Sequence, residues 1–385
     1  MALPDKVKQA WQALADQIIA DMDRNGLMWV RDWASADPPC NGVTGEQYRG
    51  RNMLLLMAAI RVHGFTDPRF MTFNTAKRAG YNVRKGEKSC AVIEKWKPIA
   101  ILKSEPDKRI KQPKTDEEWA EARENPDIEV VVRCVGYFNV FNATQIDGIE
   151  PYVGSELLVS NLDDNAIETM KRMSPCPVRE LPQNQAFYSP RDDEITMPMR
   201  SQFSTFGGFA RTLLHEQGHA TGAPSRLDRD MGGRFGTDKY AREELVAELS
   251  SMFSAQALGI RFDDVEEGRF TQSDYWKNHA AYLKSWSKRF DDPAAEIRAV
   301  VPKAIAASDL VVGRYRSEGI LDTWTQIRYE TTIDPYGPVA FPLVPVAPEV
   351  KRDPSSIAAT ATAVALTASA ASDRREQKHA SRVTI

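Results

Sequence analysis

The stretch Phe209–Gly222, FARTLLHEQGHATG, constrains this chain more than any other. Within it His215, Glu216 and His219 stand in the order His-Glu-x-x-His. On a helix, residues four apart lie one turn from each other on the same face. Two imidazoles so placed can close on one zinc ion, and the glutamate beside them is placed to hold or deprotonate a water. Leu213 and Leu214 give the helix a buried side, and Gly222 with Pro224 predicts its end. Two histidines four apart also arise by chance. Against chance stand the scarcity of histidine (five in 385 residues, two of them here), the helix stop, and a downstream carboxylate able to complete the site.

A catalytic zinc takes three protein ligands and keeps a fourth position for water. The extended pattern His-x-x-x-His-x-x-Gly-x-x-His has its glycine at Gly222 but meets Ser225 at the last position, so it fails. A helix predicted over Tyr240–Leu258, with Leu245, Leu249, Met252 and Phe253 as its buried stripe, carries Glu243, Glu244 and Glu248. Alone these read as a solvated acidic face. Beside the histidines they are similar to the Asn-Glu-x-x-Ala-Asp element of glutamate zincins. That resemblance implies Glu244 as third ligand and Glu248 as the acceptor that orients a histidine. Asp228 and Asp230 are the alternative ligands, and Mn2+ is the alternative ion. The chemistry expected is metal-assisted peptide hydrolysis, with Glu216 as general base. The donor to the developing oxyanion is His279, Tyr240 or Tyr282, among which the sequence does not choose.

A chain of 385 residues implies two domains with connecting parts. Hydrophobic residues make up 42%, as in a water-soluble globular protein. No apolar run reaches the ~18 residues of a membrane span. The opening helix lacks the apolar centre of a signal peptide. Four scattered cysteines, Cys40, Cys90, Cys134 and Cys176, form no Cys-x-x-Cys pair, which predicts free thiols and a cytoplasmic setting.

Residues 5–24 have helical periodicity through Val7, Trp11, Leu14, Ile18 and Met22. Asn25–Gly42 reads as loop, and Asn52 as the cap of a helix over Met53–Val62. Strands are predicted at Phe70–Phe73, Ala91–Trp96 and Glu129–Val140, with a short helix at Asn74–Ala79 and a charged, partly helical insertion at Pro98–Asp127. Helices follow at Leu162–Met173, Ser273–Phe290 and Pro293–Asp309, and short strands at Ala186–Tyr188 and Glu194–Met197. A strand beside the first metal-binding helix would offer its edge to an extended peptide. The Pro- and Ala-rich end reads as a flexible tail.

The net charge of −3 says nothing about nucleic acid, but its distribution does. Between Asn41 and Lys97 eleven Lys/Arg face four Asp/Glu, a local surplus of seven positive charges. Tyr48, Phe65, Phe70, Phe73, Tyr81 and Trp96 are interleaved with them. Cations that track phosphates beside rings on which bases stack are what single-strand binding uses. A solvated basic face over ordinary core aromatics is the plain alternative. The nucleic-acid contacts expected are Tyr48, Arg49, Arg51, Lys77, Arg78, Arg84, Lys85 and Lys88.

Two groups of segments resemble one family, that of the plasmid antirestriction protein ArdC and related zincin-like proteins. NGVTGEQYRGRNMLLL, MTFNTAKRAGYNVRKGEKS and YFNVFNATQIDG are similar to its N-terminal domain. AFYSPRDDEITMP, TLLHEQGHATGAPSRLDRD and GRFGTDKYAREELVAELSS are similar to its metallopeptidase domain. The resemblance spans residues ~10–310, with Ile101–Pro126 as an insertion. It implies an α+β fold: a small nucleic-acid-binding domain over 1–150, then a mainly helical zincin-like domain with a short sheet over 151–325; the low-complexity tail over 326–385 is read from composition and is not covered by the resemblance. It further implies single-stranded DNA as partner, a host restriction or other protein target, no membrane, and protection of incoming DNA. A cytosolic peptidase that grips a protein substrate, or a metal-stabilised binding protein without catalysis, are the competing readings.

Overall fold

A computed structural model describes residues 3–25, 29–34, 37–108, 110–153, 164–203, 205–233, 237–260, 262 and 290–319. The helix expected at Ser273–Phe290, apart from Phe290, and the tail expected from 326 lie outside the described residues. The chain opens with α1 (Asp5–Asn25), whose Val7, Trp11, Leu14, Ile18 and Met22 are buried, as their spacing predicts. The expected loop after it contains a helix, α2 (Trp29–Ala34). Trp29 and Trp33 are fully buried there, and the Trp33 indole donates to buried Asp21 at 2.9 Å. Burial of two large rings, rather than local propensity, makes this segment helical.

The next elements are β1 (Cys40–Asn41), α3 (Gly50–His63), β2 (Arg69–Thr72), α4 (Phe73–Arg78), β3 (Asn82–Val83), β4 (Ala91–Leu102), α5 (Asp116–Glu124), β5 (Ile128–Asn142) and β6 (Ile146–Asp147). Asn52 is not the cap expected of it. Helix α3 begins three residues earlier, at Gly50 after Arg49, and closes on Gly64 in the left-handed conformation. The main sheet has the order β1-β2-β5-β4, with β1 parallel to β2 and the other pairs antiparallel. Strands β4 and β5 are longer than expected and form a ribbon that reaches into the charged insertion. A bulge at Val135 shifts its register between Lys95 and Trp96.

The outer edge of β4 is closed by side chains. Asn52 donates to the Glu94 carbonyl at 2.8 Å and accepts from its N–H at 2.7 Å. Gln112 does the same for Ala100, at 2.9 Å in both directions. Pro98, between them, has no N–H to offer. The edge therefore cannot take up another strand.

The second half contains α6 (Asp164–Arg172), β7 (Val178–Leu181), β8 (Phe187–Ser189), β9 (Glu194–Pro198), α7 (Phe206–Ala220), α8 (Asp238–Ala257) and α9 (Pro293–Ser317). Its small sheet has the order β7-β9-β8, so β8 is an edge strand, and α7 packs against it. β7, parallel to β9, was not expected from sequence. The two halves share one core. Trp11, Leu14 and Trp33 belong to the same buried cluster as Leu245, Leu249 and Val311, and Gln256 on α8 donates to the Trp33 carbonyl at 3.0 Å. The fold is α+β, with a helical second half over a short sheet. Among the described residues no helix is long and apolar enough to cross a membrane.

Candidate metal centre

Thr205 caps α7 by accepting from the Gly208 N–H, and Phe209, Leu213 and Leu214 anchor the helix in the core. The motif thus lies in the last turns of a buried helix. Its end is made by Thr221 rather than by a left-handed glycine; Arg229 donates to the Gly218 carbonyl at 2.8 Å and to the Thr221 hydroxyl at 2.7 Å. Helix α8 crosses α7 at Gly218. A Cβ there would come within 2.4 Å of Ser250 Oγ and 3.1 Å of Ala247 Cα. Glycine inside the motif is therefore what lets α8 approach closely enough to bring its carboxylates to the histidines.

His215 Nε2 and His219 Nε2 are 3.2 Å apart, and Glu244 carboxylate oxygens lie 3.5 Å from the first and 3.7 Å from the second. Ligand atoms about 2.1 Å from a tetrahedral ion are separated by about 3.4 Å. Three donors already spaced in this way, two imidazoles and one carboxylate, fit a divalent cation. The electrostatics agree. Burial works against a charged imidazole, yet Glu248 and Glu244 outweigh it and hold His215 up at about 9. Burial likewise opposes the charge on His219, but Glu244 and Glu243 keep it well above its ordinary value. The site is built to hold positive charge.

Each imidazole is supported at its far nitrogen. Glu248 Oε1 lies 3.4 Å from His215 Nδ1, and Arg211 stands behind that carboxylate at 3.4 Å. Glu243 Oε1 lies 3.3 Å from His219 Nδ1 and accepts from Arg229 at 2.7 Å, while Glu243 Oε2 accepts from Arg229 at 3.1 Å. Burial would raise the Glu243 carboxyl, but His219 and Arg229 hold it below its ordinary value. Sequence reasoning treated Glu243 only as part of the acidic face and missed Arg211 and Arg229. The pair Glu243-Glu244 was the available signal, since adjacent helix positions can face neighbouring turns of a partner helix.

Glu216 is 1% exposed. Its Oε2 accepts from the Tyr188 backbone N–H at 2.9 Å, while Oε1 is buried without a hydrogen-bond partner among the described residues. Tyr188 pairs with Ile195, whose own N–H donates to the carbonyl of Pro177 just before β7, so the Tyr188 N–H points away from β9 toward α7. The Tyr188 hydroxyl donates to Asp193, and Arg226 pairs with Asp193 while donating to the Ala220 carbonyl at 2.6 Å. These contacts lock the β8–β9 turn to the end of α7.

The alternative ligands are elsewhere. Asp228 and Asp230 are exposed, and Asp230 is paired with Lys239. Tyr240 is half-buried one turn before Glu244 on α8. His279 and Tyr282 lie outside the described residues.

The expected nucleic-acid contacts do not converge in the same way. Tyr48 is half-buried, with its hydroxyl 3.4 Å from the Phe70 carbonyl, and Arg51 stacks on Trp96 at 4.3 Å. Arg84 is committed to Glu87, Asp147 and the Thr144 carbonyl. Arg49, Lys77, Arg78, Lys85 and Lys88 are exposed.

A His-Glu-x-x-His helix crossed by a second helix that supplies a glutamate, beside a short sheet, defines a zincin-like protein, and residues 165–301 match the zincin-like metallopeptidase family. Residues 8–141 match the N-terminal domain of anti-restriction factor ArdC, and with both halves in this order the chain is ArdC-like. The crystal structure of antirestriction ArdC from plasmid R388, metal-free, is similar over 80% of this chain and 98% of that one, at 28% identity and a TM-score of 0.56. Its Mn(II)-bound structure gives 27% identity and a TM-score of 0.53, over 79% of this chain and 97% of that one. The DNA primase TraC of Escherichia coli is 33% identical over 82% of this chain, which spans 28% of that primase's length. An uncharacterized protein, y4eC of Sinorhizobium fredii, is 29% identical over 80% of this chain and 92% of its own.

Proposed function

We propose that the chain is a single-stranded-DNA-binding antirestriction protein of a mobile element, with the DNA-binding half in 1–150 and a zinc peptidase centre in 151–325. The observation that carries this reading is the convergence of His215, His219 and Glu244, each imidazole backed by its own carboxylate, in an ArdC-like chain. Two imidazoles and a carboxylate favour zinc. Mn2+ is the ion of the similar R388 protein and the natural competitor. A zinc ion so held supplies a Lewis acid and brings the pKa of a water to ~7.

The protein's own groups do the rest. Tyr188 N–H fixes one oxygen of Glu216, leaving Oε1 to take the proton and pass it to the leaving amine nitrogen. Glu243 and Glu248 hold the imidazole rings in place. Tyr240, one turn before Glu244 on α8, is the candidate among the described residues for the donor to the developing oxyanion. The target is a cytoplasmic protein, such as a host restriction enzyme.

Metal analysis of the purified chain together with digestion of an unfolded protein tests this. Wild type should carry one ion per chain and cleave. His215→Ala should lose the ion, and Glu216→Ala should keep it without cleaving. A metal-free wild type would sink the reading. A metal-loaded wild type that cuts nothing would reduce the centre to a structural one. Oligonucleotide binding by the same preparation tests the DNA half.

A further inference from the structure

We propose that a single-stranded nucleic acid runs over one face of the β4–β5 ribbon, the face that carries Lys95, Lys97, Arg133 and Phe138. The inference rests on the DNA-binding reading above and places that binding away from the expected turn at Arg84–Lys88. Residues directly opposite in an antiparallel pair share a face. The register sets Ile93 against Phe138, Lys95 against Gly136 and Lys97 against Arg133. Lys97 and Arg133 are thus like charges placed directly across from each other, an arrangement that weakens a ribbon unless something negative joins it. Both are exposed, and none of the three cations has an ion-pair partner among the described residues. The nearest acid in register, Glu94, faces the other side and is buried.

The aromatic ring on this face is held in position. Phe138 is 41% exposed, although its ring leans over Gly136, whose added Cβ would lie 3.4 Å from it. Lys95 Nζ sits 5.6 Å from the ring centroid. A fixed, exposed ring flanked by unneutralised cations offers stacking to a base and charge to phosphates. A duplex keeps its base faces covered and cannot use the ring. A peptide strand cannot be added along β4, because Asn52, Pro98 and Gln112 close that edge. Positive charge, an open ring and a blocked edge together select an unpaired polyanion.

The test is fluorescence anisotropy of the full chain with labelled oligothymidine across a salt series. Lys97→Ala with Arg133→Ala should flatten the slope of log affinity against log salt by roughly 1.4, two phosphate contacts' worth. Phe138→Ala should weaken binding about tenfold at fixed salt, and Phe138→Trp should restore it. Wild-type binding left unchanged by both substitutions would overturn the ribbon path while the DNA-binding reading stands. No binding by wild type would overturn both. Should the variants fold poorly, photocrosslinking of wild type to bromodeoxyuridine oligomers decides. Crosslinks on β5 support the ribbon path, and crosslinks confined to other segments, or to a co-purifying protein seated on the ribbon, overturn it.

Discussion

The metal centre and the basic N-terminal half are both regions of concentrated charge, yet they are organised in opposite ways. Around α7 and α8 each charged group that contacts the histidines is buried or largely so, and answered: Glu248 by Arg211, Glu243 by Arg229, and the imidazoles by carboxylates on both ring nitrogens. In the N-terminal half some cations are answered, as Arg84 and Arg69 are, while Lys85, Lys88, Lys97 and Arg133 are exposed. A buried charge must have a partner or the fold fails. A surface charge needs none. One helix spacing therefore predicts a whole buried constellation, whereas a surplus of seven positive charges cannot say which cation meets a ligand.

The comparison breaks most severely at Gly218. A leucine there has no space against Ala247 and Ser250. Overpacking of this kind costs up to ~3 kcal/mol, and moving α8 also carries Glu244 away from the histidines. Gly218→Leu should lower the denaturant midpoint and abolish metal binding together. Full metal affinity in a destabilised variant would mean that the α7–α8 spacing does not set the site.

A smaller but more specific effect is expected at Glu243. Replacing it by glutamine keeps the shape and removes the charge that His219 and Arg229 face. Loss of such support typically weakens metal affinity by ~10–100-fold. Competition with a chromophoric chelator measures this, and Glu243→Asp should fall between glutamine and wild type. Equal affinity in all three would reduce Glu243 to a surface residue, which is how its sequence context presents it.

That difference shows what was legible. The 3.6-residue period revealed α1, α7 and α8, and the His-Glu-x-x-His spacing brought together the residues it pointed to. Glu244 was reachable because its partner pattern also lies on a helix. Glu243 was not, because its role depends on Arg229, fourteen residues away across a loop. Asn52 shows the same limit from another side. A helix cap and an amide that closes a strand edge are the same residue type before an apolar run, and only the position of Glu94 distinguishes them. Trp29 and Trp33 looked like loop residues because what makes α2 helical is the core built from distant segments. In the basic half, composition revealed the surplus of positive charge but not its disposition, since Arg84 and Arg51 are partly engaged within the protein.

Arg84 separates structure from binding at about 1 kcal/mol. Its guanidinium joins the 84–87 turn to Asp147 and the Thr144 carbonyl, but the side chain is 44% exposed, so solvent screens much of the attraction. Arg84→Ala should therefore lower the unfolding midpoint slightly and leave oligonucleotide affinity within a small factor of wild type. A large loss of affinity at unchanged stability would move Arg84 to the ligand-facing set.

The smallest effect belongs to Lys85 and Lys88, which are exposed at the same turn. Each phosphate contact on a single strand contributes ~0.7 to the salt slope, so Lys85→Ala with Lys88→Ala can remove at most about 1.4, and less if the turn is only brushed by the strand. Stability should not change, because neither side chain replaces a buried group. If the slope change here exceeds that from Lys97→Ala with Arg133→Ala, the turn is the principal contact and the ribbon the margin. If it is zero, the surplus charge at this turn is a solvated face, and the difference between answered and unanswered cations lies along the ribbon alone.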